Sequence, residues 1–307
     1  MTLTELRYIV AVAREKHFGR AAEACFVSQP TLSVAIKKLE EELDVKLFER
    51  GSNEVSVTPL GEEIIRQAQS VIEQAAAIKE IAKRGKDPLN GTLRLGIIYT
   101  IGPYLLPELV RHAIELSPQM PLILQENFTV KLLEMLRTGE LDCAIMAEPF
   151  PDTGLALAPL YDEPFVVAVP RHHPLATREA ISAEALKQET MLLLGTGHCF
   201  RDHVLEVCPE FARFSSNTEG IRKSFEGSSL ETIKHMVASG MGITVVPFLS
   251  VPREPHALVK YIPFEHPVPS RRVVLAWRRT FTRYEAIAAL RNAVYACELD
   301  GVTRLTQ

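Results

Sequence analysis

The chain has 307 residues, 47% of them hydrophobic and 23% charged, the balance of a soluble globular protein with room for about two domains. Its formal net charge is −4, with 13 Lys/Arg against 14 Asp/Glu over residues 1–87 and 21 against 24 over 88–307, so bulk charge gives no argument for nucleic-acid binding. The N-terminus MTLTELRYIV has no basic stretch before an apolar run, and Gly240, Gly242 and Pro247 interrupt the uncharged run 235–252; neither a signal peptide nor a membrane span is expected, and the expected location is cytoplasmic.

Apolar Leu6, Ile9, Val10 and Ala13 predict a helix over 4–16, and 18–26 suits a second, shorter one. Ser28 then fits an N-cap and Pro30 the first helical turn. Leu32, Ile36, Leu39 and Leu43 follow at helical spacing and should form one buried face. Two short helices joined by a tight turn describe a helix-turn-helix. Residues 47–58 alternate apolar and polar around Gly51-Ser52-Asn53, a small hairpin placed as a wing.

Thr58-Pro59 opens a long helix that runs to about Lys83. Ile64, Ala68, Val71, Ala75, Ile78 and Ala82 repeat at 4-3-4-3-4 spacing, the seam of a coiled coil. That seam needs cover, either from the N-terminal domain or from a second copy, and a length of about seven turns favours the second copy. Residues 83–91 read as a polar linker. Beyond it strands (from Leu93, 122–125, 142–147, 165–169, 191–194, 243–246, 271–277) alternate with helices (105–116, 130–138, 229–239, 283–298), an α/β pattern.

The motifs Ala21-Ala22, Ser28-Gln29-Pro30-Thr31-Leu32-Ser33, Leu39-Glu40, Leu47-Phe48, Arg50, Thr58-Pro59 and Gly61, with Val237–Ile243 and Pro247, resemble the LysR-type transcriptional regulators over the whole chain. Gly197-His198-Cys199-Phe200-Arg201-Asp202 with Cys208, Tyr104–Pro107, Leu141-Asp142-Cys143 and Ser229–Thr232 are similar to the peroxide-sensing members of that family. The stretch 209–225 departs from their pattern.

The resemblance implies a fold: an α/β protein with an N-terminal winged helix-turn-helix (1–58), a long linker or dimerisation helix with a hinge (59–87), and a two-lobed regulatory domain like a periplasmic binding protein (88–307). Lobe I would span about 88–162 and 266–307, and lobe II about 163–265. The crossovers would fall near 162–164 and 263–270.

For DNA, short polar side chains must reach base edges and cations must reach phosphates. The candidates are Gln29, Thr31, Ser33 and Lys37, with Arg50 on the wing. The bland alternative leaves Lys37 and Lys38 solvated and paired with Glu41 and Glu42. One recognition helix binds modestly, so a homodimer or homotetramer on repeated half-sites is expected. RNA polymerase is a further implied partner.

The five cysteines, at 25, 143, 199, 208 and 297, are odd in number and suit a reducing compartment. By residues alone, Cys199 and Cys208 admit three readings: inert buried thiols, a redox couple, or zinc ligands with His198 and His203. Phe200, Val204 and Cys208 share one helical face, and Pro209 marks a stop. On such a helix the two cysteine Cα atoms stand roughly 13 Å apart, beyond the about 7 Å limit of a disulfide.

The family resemblance favours the redox couple. It implies that hydrogen peroxide oxidises Cys199 to sulfenic acid, that Cys208 then closes a disulfide, and that a reductant such as glutaredoxin reverses it. The helix would have to come apart, and DNA binding at antioxidant-gene promoters would change with it. His198 and Arg201 place donors or positive charge beside Cys199. Thr100, Thr129 and Arg271 are further candidates for binding peroxide, although Arg272 occupies the opposite face of the same strand. Cys25, Cys143 and Cys297 read as core or incidental residues. No metal, cofactor or membrane is expected, and the chain is not expected to be an enzyme. A metabolite-responsive regulator and a thiol peroxidase are the competing readings.

Overall fold

Three helices, α1 (Leu3–Glu15), α2 (Phe18–Ala24) and α3 (Gln29–Leu43), build the N-terminal core. A capping box between Thr2 and Glu5 starts α1, and Ser28 caps α3 by accepting the Thr31 N–H at 3.3 Å. Leu32, Ile36 and Leu39 are buried against Leu6, Ile9, Val12, Phe18 and Ala21. Leu43, at the end of α3, is only half-buried. The computed structural model describes residues 1–50, 55–83, 89–151, 154–213, 224–227 and 229–305. Strands β1 (Phe48–Arg50) and β2 (Val55–Val57) pair antiparallel, Phe48 opposite Val57. The hairpin tip and the side chain of Arg50 lie outside the described residues, as does most of the expected linker. Glu40 ties the hairpin to α3, accepting the Leu47 N–H at 2.8 Å and the Phe48 N–H at 3.3 Å.

Helix α4 (Pro59–Lys83) follows. Gly61 is required in its first turn, because a Cβ there would collide with the Leu47 carbonyl. The expected seam divides along its length. Ala68 is buried in the N-terminal core with Ile64 and Val71 packed against it, whereas Ile78 is 69% exposed. The other side of α4 meets the C-terminal domain. Glu73 stands 2.6 Å from Arg278 Nε and accepts a hydrogen bond from Thr280 at 3.1 Å.

The C-terminal domain contains β3 (Leu93–Ile98), α5 (Gly102–Leu116), β4 (Leu122–Asn127), α6 (Thr129–Arg137), β5 (Cys143–Ala147), β6 (Leu155–Pro170), β7 (Met191–Leu194), α7 (Cys199–Val207), β8 (Ser224–Gly227), α8 (Leu230–Ala238), β9 (Thr244–Pro247), β10 (Val259–Pro263), β11 (Ser270–Arg278), α9 (Tyr284–Ala296) and β12 (Thr303–Arg304). Two cores form. In lobe I, β4, β3 and β5 are parallel neighbours, and β11 joins β5 antiparallel. The first half of β6 closes that sheet against β11, while its second half lies between β9 and β10 in lobe II. In lobe II, β7 and β8 pair parallel.

Strand β6 therefore passes through both lobes. Sequence patterning predicts only 165–169 of it, because Pro159, Asp162, Glu163 and Pro164 interrupt the alternation. Pairing with β11, whose register shifts between Val273 and Val274, supplies what local propensity does not. Strands β8, β10 and β12 are likewise absent from the sequence reading. Among the described residues no helix is long and apolar enough to cross a membrane.

Candidate functional site

Three strand-to-helix junctions meet between the lobes. In lobe I, Ile98 pairs with Asn127 at the carboxyl ends of β3 and β4. Thr100 and Thr129 each follow two residues later, Thr100 in the turn before α5 and Thr129 as the first residue of α6. In lobe II the chain leaves β7 at Leu194 and enters α7 at Cys199. Carboxyl ends of parallel strands are where open α/β sheets form their ligand crevices.

Cys199 is half-buried and packs against the lobe I core although its helix belongs to lobe II. Beside it is a cavity lined by Thr100, Thr129, His198 and Cys199 among others, with about 10 Å³ in which a water-sized molecule can be centred. The Thr129 hydroxyl, in a residue 7% exposed, has no hydrogen-bond partner among the described residues. A buried hydroxyl without a partner carries a desolvation cost, and a small polar guest in this cavity would remove it.

The Thr100 hydroxyl accepts from Arg271 Nη1 at 2.7 Å, and the Thr100 carbonyl accepts from Nη2 at 2.9 Å. Having accepted, that hydroxyl keeps its own proton to donate. Arg271 also donates from Nε to Glu163 at 2.8 Å, and its guanidinium lies 5.1 Å from the Phe200 ring centroid. Arg271 is buried. Arg272 points outward and pairs with Asp162 at 2.8 Å, as strand alternation requires. Arg271 does not line the small cavity; its donors are committed to Thr100 and Glu163, so it positions the wall and does not bind a guest directly.

Arg201 departs from expectation in a similar way. It is buried, with Nη1 donating to the Leu194 carbonyl at 2.8 Å, and is absent from the cavity lining. Residues two apart on a helix face different directions: Cys199 faces lobe I and Arg201 returns to β7. His198 does line the cavity, and its ring packs edge-on against Phe128 and Tyr99.

Cys208 closes the far end of α7. It is fully buried in the lobe II core with Phe200, Val204 and Phe211, and burial pushes its thiol up to about 12. Both cysteines are free thiols. His203, between them, has Nε2 2.8 Å from the Glu148 carbonyl oxygen of lobe I; burial holds its pKa below the usual imidazole value. The four residues weighed as zinc ligands are thus not gathered at one point. Burial also raises the thiols of Cys143, and of Cys297 to about 11. Cys25 is half-buried on the rim of the N-terminal core.

On α3, Gln29, Thr31 and Lys37 are exposed and Ser33 is half-buried. Lys37 lies 3.7 Å from Glu41, the solvated pairing weighed above. The Thr31 hydroxyl is 2.7 Å from that of Ser28 and so belongs to the helix cap. Sequence reasoning passed over Tyr99, Phe128 and Glu163, and weighed His203 only as a zinc ligand. The available signal for Glu163 was an acidic pair, Asp162-Glu163, set against an arginine pair, Arg271-Arg272, elsewhere in the chain.

Two family models match: the bacterial regulatory helix-turn-helix protein, lysR family, over residues 3–62, and the LysR substrate binding domain over 86–296. The chain is 40% identical over 308 residues to the Escherichia coli DNA-binding transcriptional dual regulator OxyR, covering 99% of each. A full-length OxyR variant from Pseudomonas aeruginosa matches at 49% identity and a TM-score of 0.81, covering 100% of this chain and 98% of that one. A hydrogen peroxide-bound mutant of Corynebacterium glutamicum OxyR matches at 35% identity and a TM-score of 0.62, covering 95% and 91%.

Proposed function

The chain belongs to the LysR family of bacterial regulatory proteins, and we propose that it is a transcriptional regulator that senses hydrogen peroxide through Cys199 and Cys208. The observation that carries this reading is the small cavity against Cys199, with the buried Thr129 hydroxyl lining it unpartnered. The similarity to relatives named as hydrogen peroxide-inducible gene activators supports the same signal.

In the first step the Cys199 sulfur, as thiolate, attacks one peroxide oxygen. The S–O bond forms, the O–O bond breaks, and hydroxide leaves to take up a proton as water. Sulfur is oxidised by two electrons, giving sulfenic acid. Thr129 and Thr100 donate to the oxygens as charge develops, while Arg271 and Glu163 hold Thr100 in place. In the second step the Cys208 sulfur attacks the sulfenic sulfur, the S–S bond forms, and the oxygen leaves as water. A dithiol such as glutaredoxin reduces the disulfide.

The second step needs a rearrangement. On the intact helix the cysteines stand roughly 13 Å apart by rise per residue, so Cys208 must leave its core and α7 must unwind. The change in lobe II reaches DNA through lobe I, whose Arg278 contacts Glu73 of α4. Gln29, Thr31, Ser33, Lys37 and Arg50 form the DNA-contacting set, and the chain works in the cytoplasm as a dimer or tetramer. Ile78, exposed on the α4 seam, supports a second copy's helix there.

The test is a peptide map. Reduced protein receives about one equivalent of peroxide, and trypsin cuts after Arg201, between the cysteines. Linked peptides carrying Cys199 and Cys208, absent after dithiothreitol, are expected, with different footprints on DNA for the two states. Two free thiols would leave a DNA-binding regulator and refute the disulfide.

A further inference from the structure

We propose that Tyr99, Phe128 and His198 form a size filter that admits hydrogen peroxide to Cys199 and excludes bulkier alkyl hydroperoxides, with Phe128 setting the limit. The inference rests on the peroxide reading above and deepens it.

Two cavities share this wall. The small one against Cys199 has about 10 Å³ open to the centre of a water-sized molecule, and the larger, in the cleft between the lobes, has about 350 Å³. Tyr99, Thr100, Phe128 and His198 line both. The Tyr104 hydroxyl of α5 donates to Glu231 of α8 at 2.5 Å, a contact between the lobes at the edge of the larger cavity.

The three rings close a triangle. Centroids are 5.2 Å apart for Tyr99 and Phe128, 4.8 Å for Phe128 and His198, and 5.9 Å for Tyr99 and His198, each pair edge-on. Edge-to-face packing favours this arrangement. The loop before α7 accommodates it: Gly197 has φ +98°, and a Cβ there would sit 3.4 Å from the Phe128 ring. Tyr99 and Phe128 are each 37% exposed, so their outer edges meet solvent while their inner edges line the site. They form a boundary and not a core.

Steric consequences follow for the oxidant. The reaction R–SH + R′OOH gives R–SOH + R′OH: an S–O bond forms, the O–O bond breaks, and the thiol proton leaves with the alcohol. The small cavity has room for about one water-sized group, enough for the oxygen that is attacked, but a branched R′ group has to pass the ring triangle. The larger cavity has room for that group. All three rings lie between the two spaces, and Phe128 makes the two closest ring contacts, 5.2 Å to Tyr99 and 4.8 Å to His198.

Full-length reduced protein, wild type and the variants Phe128→Ala and Phe128→Leu, is treated with hydrogen peroxide, tert-butyl hydroperoxide and cumene hydroperoxide. Loss of the Cys199 thiol is followed by rapid alkylation and mass spectrometry. Wild type should react more slowly with either alkyl hydroperoxide than with hydrogen peroxide by about tenfold or more, and Phe128→Ala should narrow that ratio by about tenfold. Phe128→Leu, which keeps bulk, should narrow it less. The ratio is the readout, because loosened packing alone slows all three oxidants together. As a measurement free of variants, Cys199 in wild type should alkylate faster with iodoacetamide than with a bulky maleimide, by more than Cys199 in denaturant does. An unchanged ratio in Phe128→Ala, or equal wild-type rates with all three oxidants, overturns the filter. Failure of wild-type Cys199 to react with hydrogen peroxide itself overturns the sensing reading, and the filter falls with it.

Discussion

The two ends of α7 hold the same functional group in opposite settings. At the start, Cys199 is half-buried against the other lobe and borders a small cavity. At the end, Cys208 is sealed in the lobe II core, its N–H bonded to Val204 at 2.9 Å and its thiol raised to about 12. In the proposed mechanism one end meets the oxidant as folded, and the other reacts only once it is released. A single helix would thus separate detection from locking: the cavity would govern the first step, and the work of unpacking Cys208 the second.

Removing the exposed end should have the largest effect. Cys199→Ser should abolish the peroxide-dependent change in DNA footprint completely, while Cys208→Ala should still form sulfenic acid at Cys199, read by trapping with a dimedone-type probe. A full response in Cys199→Ser would show that the two ends are not divided in this way. Next is the support beneath the first step. Arg271→Met leaves Glu163 buried without its cation, and should cost about 3–5 kcal/mol of unfolding free energy in urea melts. Adding Glu163→Gln should recover part of that loss, because the uncompensated charge is gone. Smaller again is Thr129→Val, which removes the cavity hydroxyl at nearly constant volume. The bimolecular rate of Cys199 oxidation should fall roughly a hundredfold, while conversion of a preformed sulfenic acid to disulfide stays the same. A fall in both steps would erase the distinction between the two ends.

What the sequence made legible follows the same division. Phe200, Val204 and Cys208 at four-residue spacing predicted α7 with these three residues on one face. The cap at Ser28 and the buried run Leu32, Ile36 and Leu39 did the same for α3. These features are local and periodic. The Cys199 end depends on side chains from three distant junctions, and there the sequence reading was incomplete. Arg201 lies beside Cys199 in the chain but points to Leu194. Arg271 is remote in the chain but holds Thr100. Tyr99 and Phe128 left no sequence signal, since a single aromatic after a strand is usually core. Strand β6 was only partly legible, because its proline-rich first half owes its conformation to β11.

The smallest effect isolates the Cys208 end by its titration. In the unfolded chain a cysteine thiol ionises near about 8.5, whereas burial holds Cys208 protonated in the native state up to about 12. Between those values the native state binds a proton that the unfolded state has lost, so stability falls as pH rises. The contribution is complete below about pH 8.5 and declines above it, by at most about 1.4 kcal/mol per pH unit for one proton. Cys143, raised by burial, and Cys297, raised to about 11, act in the same direction, so wild type alone cannot assign the slope. The comparison is with Cys208→Ala in urea melts from pH 8 to 10, where the variant should lose stability less steeply than wild type. Equal slopes would mean that Cys208 meets water in the reduced state, and the barrier to disulfide formation would then lie in unwinding α7 and not in extracting its last thiol.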